Sequence, residues 1–287
     1  MLYLQLLADG LVTGCAIGLV AVSFSLIYST TKVFHVAHAG IYTAGGYIAW
    51  YAASYGAPFT VACIAGIIGS ALLGAVIQSQ VYQRLEERGA QPLVLLIASL
   101  GVLAVLQNGV AILFTTNMLQ FSYPWRNQMV IFGAVGLSYA QVTIVIVSIV
   151  VFVVLTWMSK YTLFGQRIRA VASNPFLAEI TRLRPKTLFV LVMMIGSAVV
   201  GLAGTLIALD QAMQPYTGVL ILLTATIAVI AGGIGSLTGA FVISLALSVL
   251  QNLSLAVMPG RWSIAATFAL FILFILIRPQ GLVRAAR

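Results

Sequence analysis

Apolar positions in this chain do not alternate. They run on in long blocks that polar residues merely punctuate. Nine blocks are legible, at 11–29, 40–53, 58–82, 93–115, 137–158, 187–209, 218–233, 236–257 and 262–277. A helix rises about 1.5 Å per residue, so about 20 residues cross a hydrocarbon core of about 30 Å. Most of the blocks reach that length and predict helices that are apolar on every face. The block at 40–53 is too short, since its residues span only about 21 Å. It predicts a short helix, broken or re-entrant, which membrane depth tolerates only where protein or a water-filled cavity surrounds it. The fold class expected is an all-α polytopic membrane protein with about eight or nine transmembrane helices. A single domain over residues 1–287 is expected, because no polar stretch is long enough for a second.

Composition agrees. Only 7% of residues are charged, against about a quarter in a soluble domain. The charges fall at the joints between blocks, and none lies between Lys32 and Arg84. The net charge of +9 would suggest nucleic acid for a soluble protein; here it reports orientation, because Lys and Arg stay on the cytoplasmic side. Membrane lipid is thus the expected environment, and no nucleic-acid partner is expected. Lys160, Arg167, Arg169, Arg182, Arg184 and Lys186 crowd one joint against Glu179, and Arg278, Arg284 and Arg287 crowd the end of the chain. Both regions are expected in the cytoplasm. Threading nine crossings back puts the N-terminus outside, together with Asp9, Arg126, Asp210 and Arg261. No Lys or Arg precedes the first block, so a cleavable signal peptide is not expected and that block should remain a helix. Cys15 and Cys63 sit within apolar blocks and read as small core residues, not as a disulfide.

The polar joint at 160–186 is the richest in local signals. Phe164, Ile168 and Val171 recur at helical spacing, with Gln166, Arg169 and Ser173 opposite, which predicts an amphipathic helix over 163–172. Asn174 followed by Pro175 is a cap and first-turn pair that starts a second short helix. Two short helices make a knob that a partner could grip. By their pattern alone they equally suit an amphipathic stretch lying on anionic lipid.

Other motifs narrow the chemistry. Gly232, Gly233, Gly235 and Gly239 match neither a phosphate loop nor a dinucleotide fingerprint. Gly235 with Gly239, like Gly14 with Gly18, forms a pair of small residues one turn apart, which favours close helix packing or a bend. No ATP site is recognisable. His35 and His38 have no carboxylate or cysteine nearby, so they read as hydrogen-bonded structural residues and no metal site is expected. No nucleophile–base pair can be assembled, so an enzyme is not expected. Polar residues within the blocks are neutral, Gln107, Thr224, Gln251 and Asn252 among them. Ion-coupled carriers often place charges there, so a neutral lining suits a small neutral or zwitterionic solute. Blocks 11–82 and 187–257 both run long, short, long, and enter the membrane from opposite sides, a pattern that accompanies transporter pathways.

Three stretches carry a family resemblance. The first is Ser25-Leu26-Ile27-Tyr28 with Ala37-His38-Ala39-Gly40-Ile41-Tyr42 and Gly45-Gly46-Tyr47. The second is Thr162-Leu163-Phe164-Gly165-Gln166-Arg167-Ile168-Arg169-Ala170 through Asn174 and Ala178. The third is Ala228 to Gly239, resuming at Arg278-Pro279-Gln280-Gly281-Leu282. In order and along nearly the whole chain, these resemble the permease subunit of bacterial ABC importers for branched-chain amino acids, a family that also serves urea and short amides. The family's usual Gly and acidic residue after the histidine are replaced by Ala39 and Gly40, so no acidic role is carried over. Glu179 to Pro185 replaces the family's Leu-Gly-Ile. The resemblance implies an inner-membrane permease that works with a second permease subunit, usually a different chain. It also implies two ATPase subunits, which carry ATP and magnesium, and a periplasmic substrate-binding protein. No cofactor is implied in this chain. Gly165, Arg167, Arg169, Ala170 and Asn174 are then expected to contact the ATPase. His38, Tyr42 and Tyr47, on the short helix, are expected near the translocation pathway. A stand-alone channel or a secondary carrier for a small neutral solute is the rival from another class.

Overall fold

The computed structural model describes residues 2–133, 135–181 and 183–277. Arg182 and the closing residues 278–287, with the third stretch's Arg278 to Leu282, lie outside the described residues, as does the side chain of Arg261. Every apolar block is helical: α1 (Leu2–Thr31), α2 (His38–Ser54), α3 (Phe59–Glu87), α4 (Pro92–Phe114), α5 (Tyr139–Tyr161), α8 (Pro185–Asp210), α9 (Gly218–Gly232), α10 (Leu237–Ser254) and α11 (Gly260–Ile277). The polar joint holds α6 (Leu163–Ser173) and α7 (Pro175–Ile180). Helices α1, α3, α4, α5, α8 and α10 are long and apolar enough to cross a membrane. The architecture is an all-α polytopic membrane protein.

Two differences from the expected pattern have local causes. Helix α1 starts at Leu2, well before the apolar block, with Asp9 inside it. The Asp9 carboxylate accepts from the Gln5 amide at 3.2 Å and the Gln141 amide at 3.4 Å, so its charge does not end the helix. The joint between α4 and α5 contains a small antiparallel hairpin, β1 (Met129–Phe132) and β2 (Val135–Ser138). It packs beside the start of α1, where the Gln5 side chain bonds both backbone groups of Gly136. Ser138 and Gln141 form a capping box that starts α5.

Small residues decide which helices meet. Gly10, Gly14 and Gly18 of α1 face Val249, Leu245 and Phe241 of α10, with backbone so close that a Cβ at Gly14 would come within 2.8 Å of the Leu245 Cα. Gly66, Ser70 and Gly74 of α3 face Thr205, Gly201 and Ser197 of α8 in the same antiparallel sense. The two contacts are counterparts. The third helix of each triplet, α1–α3 and α8–α10, packs on the first helix of the other. Helix α1 starts beside the hairpin, whereas α8 starts beside the α6–α7 knob, so the triplets are inverted. Helix α1 is buried along most of its length, while Ile64, Ile68, Ile97, Val150 and Val153 of α3, α4 and α5 face outward. The joint after α9 supplies both uses of its glycines. Gly233 and Gly235 take left-handed φ values of +96° and +89°, and Gly232 touches the backbone of Gly239.

Charge separates between the ends. The knob end carries Lys32, Arg84, Arg88, Lys160, Arg167, Arg169, Arg184 and Lys186, with Glu86, Glu87 and Glu179. Among the described side chains, the hairpin end carries Asp9, Arg126 and Asp210.

Candidate functional site

The knob is built from local signals. The Thr162 hydroxyl donates to the Met158 carbonyl at 2.5 Å and accepts from the Gly165 N–H at 3.2 Å, closing α5 and opening α6 with one side chain. Gly165 is required here, because a Cβ would run into the Ser159 and Met158 carbonyls at the end of α5. The Arg169 guanidinium donates to the Ser159 carbonyl, and to that of Lys160 at 3.4 Å. It therefore ties α6 to α5 besides being exposed. Ile168 and Val171 are buried, as their spacing predicts, and Gln166, Arg169 and Ser173 are exposed. The Asn174 carbonyl oxygen of its side chain accepts from the Leu177 N–H at 3.1 Å and starts α7 at Pro175.

Exposed apolar side chains crown the knob, with Phe176 at 71% and Ile180 at 67% exposure. A groove of 310 Å³ runs between α6 and the start of α8, lined by Arg167, Val171, Leu183, Arg184 and Leu188 among others. The structure thus brings Arg167, Ala170 and Asn174 to one exposed surface, with Gly165 buried beneath it.

The residues of the short helix are separated. Chain leaves α1 at Lys32, in the left-handed region at φ +59°, and re-enters the protein at once. His35, Ala37 and His38 are fully buried. The His35 Nδ1 lies 2.7 Å from the Tyr82 hydroxyl, the Ala37 N–H donates to the Ser99 hydroxyl at 2.9 Å, and the His38 Nε2 lies 2.9 Å from the Ser23 hydroxyl. Toward the end of α3, Ile77–Tyr82 are wound as a π-helix that places Tyr82 there, before an α-helical turn over Gln83–Glu87. These hydrogen bonds give one ring nitrogen of each histidine and the Ala37 N–H a partner at a break that lipid could not hydrate, while His35 Nε2 and His38 Nδ1 stay unpaired among the described residues. Among the described residues no three His, Cys, Asp or Glu side chains come together as a metal would need.

Tyr47 packs 5.2 Å from the Phe114 ring, in an apolar cluster with Phe121 and Leu209. Tyr42 instead borders a small cavity of 20 Å³, with Gly204, Gln211 and Thr217. That cavity adjoins a larger one of 180 Å³ near the hairpin end, and the two share Ile207, Gln211 and Thr217. The larger cavity collects residues from α1, α5, α8, α9, α10 and α11. Of its lining, Asp210 was legible in the sequence as a helix-end acid, and Thr224 and Gln251 as interior polar residues. Nothing local joins them.

Comparison with known proteins places this geometry. The sequence pattern of the family described as branched-chain amino acid transport system / permease component matches residues 6–277. The chain is 28% identical over 296 residues to the high-affinity branched-chain amino acid transport system permease protein BraD of Pseudomonas aeruginosa, covering 98% of this chain and 95% of that one. It is 26% identical over 295 residues to the corresponding protein LivH of Escherichia coli K12, with the same coverage. Among solved structures, PsaBC from Streptococcus pneumoniae in complex with Fab shares the fold, with a TM-score of 0.53 at 15% identity over 98% of this chain and 93% of that one. An inverted helical bundle with a capped knob at its basic end, matched along almost all its length by one family, belongs to the permease components of branched-chain amino acid transport systems.

Proposed function

We propose that this chain is the membrane subunit of an ATP-driven ABC importer in a bacterial inner membrane and moves branched-chain or related neutral amino acids. The observation that carries the reading is the family match over residues 6–277, joined to a knob of two capped helices at one end of the bundle. The relatives' names supply the solute class. In this reading a second permease subunit, a different chain, completes the pathway. Two ATPase subunits bind ATP and magnesium and dock on the knob through Arg167, Ala170, Asn174 and the apolar crown, while Gly165 and Arg169 keep the knob rigid against α5. A periplasmic binding protein delivers solute to the hairpin end. The concentration of Lys and Arg at the knob end supports a cytoplasmic knob and C-terminus and a periplasmic N-terminus. The side chains within the helices are largely neutral, which leaves the energy source to the partners. The test is gentle detergent purification of the chain from its native membrane, with the companions identified and reconstituted into liposomes. Co-purification of ATPases, a permease and a binding protein, with leucine uptake that needs ATP, is expected. A lone chain that moves solute without ATP would overturn the reading in favour of a channel or carrier.

A further inference from the structure

The lining of the 180 Å³ cavity near the hairpin end is chemically mixed. Ile17, Ile207 and Ile221 supply apolar side chains, and Asp210, Thr217 and Gln251 supply polar ones. An engineered apolar cavity of about 150 Å³ holds a benzene-sized solute, so this one suits a solute of that size or slightly larger.

Asp210 is half-buried and has no ion-pair partner within 4 Å among the described residues. Arg126 is the described basic residue that acts on it through space. Its guanidinium is committed elsewhere, to the Phe121 carbonyl at 2.7 Å and the Asn127 side chain at 3.1 Å. A carboxylate drawn partly out of water is costly, and a ligand ammonium lowers that cost. The same cavity is bordered by the first turn of α9, through Thr217, Leu220 and Ile221. No side chain caps that turn, so its free N–H groups suit a carboxylate.

We propose that this cavity is a binding site for a zwitterionic aliphatic amino acid, its ammonium on Asp210, its carboxylate toward the Thr217 end of α9 and its alkyl group among Ile17, Ile207 and Ile221. The inference rests on the importer reading and deepens it. Urea and short amides offer no cation for Asp210, and urea offers no alkyl group for Ile17, Ile207 and Ile221 either, so the site selects amino acids over them.

The complete importer is assembled in lipid nanodiscs without binding protein, with Cys15 and Cys63 replaced by serine and Leu220→Cys introduced. Leu220 lines the cavity and is 52% exposed. Alkylation of the new thiol is timed with leucine or urea present. Leucine should slow it at least fivefold and urea should not. Adding Asp210→Asn should abolish the protection. Ile221→Phe should abolish protection by leucine and keep protection by alanine, which separates site chemistry from misfolding. No protection by leucine, protection by urea instead, or full protection in Asp210→Asn overturns the inference. ATP-dependent leucine uptake by the unsubstituted importer is measured alongside. Uptake without protection removes this site and leaves the importer reading standing, whereas absence of uptake for every amino acid removes the importer reading itself.

Discussion

The crossing of α2, α3 and α8 is closed by Gly45, Ser70 and Gly201, and Gly201→Ala tests how tightly. A Cβ at Gly201 would fall on the Cβ and Oγ of Ser70 and stand 3.1 Å from the Gly66 carbonyl oxygen. A Cβ at Gly45 would stand 2.5 Å from the Gly201 Cα, so α8 cannot escape toward α2. Nonbonded carbons settle at about 3.5–4.0 Å, so α3 and α8 must part by about 1 Å. Overpacking of this kind costs about 1–3 kcal/mol. At about 2–4 °C per kcal/mol for a chain of this size, the substitution should lower the melting temperature by several degrees, read by intrinsic fluorescence of the purified protein in detergent. Ser70→Gly in the same chain removes the atoms in the way. The Ser70 hydroxyl has no hydrogen-bond partner to lose, so the double variant should recover at least half the loss. That corresponds to a coupling of at least about 0.5–1.5 kcal/mol between the sites. Gly101→Ala is the control, since nothing lies within 4 Å of a Cβ there, and helix propensity should leave it as stable as the parent or more so. If Gly201→Ala melts with Gly101→Ala, or if the double variant loses the sum of both single effects, the close approach of α3 and α8 is not what holds this crossing.

Gly165→Val should push α6 off the end of α5. ATP hydrolysis by the assembled importer should survive while leucine uptake falls about tenfold or more, the rate equivalent of about 1.4 kcal/mol; uptake at the parent rate would show that the knob needs no fixed seat. The Lys186–Glu87 ion pair, at 2.7 Å, is exposed on both sides, so Lys186→Ala should leave the melting temperature close to that of the parent at low and high salt alike. A marked drop at low salt would mean that the pair holds α3 to α8. With the chain expressed without its ATPase subunits, Asn174→Cys should react with a membrane-impermeant maleimide in inside-out vesicles and not in intact cells, and the reverse result would invert the proposed orientation.

The sequence alone determined which segments are helices and where the chain breaks. Uninterrupted apolarity needs a bilayer, and a block as short as 40–53 cannot span one. It also determined the knob, because the Asn174-Pro175 start and the spacing of Ile168 and Val171 act within one or two turns. The inverted triplets were legible as a long, short, long rhythm. The partners of each helix were not, because helices that are apolar all round announce no buried face. Tertiary structure settled that question through glycine and serine contacts between residues far apart in the chain, such as Gly14 with Leu245 and Ser70 with Gly201. It also turned Arg169 back onto the Ser159 carbonyl, sent Tyr47 into an apolar cluster while Tyr42 borders a cavity, and gathered Ile17, Asp210, Thr217 and Gln251 around one space. A cap depends on neighbours in sequence, whereas a cavity depends on how several helices cross, and only the folded packing of all of them determines its lining.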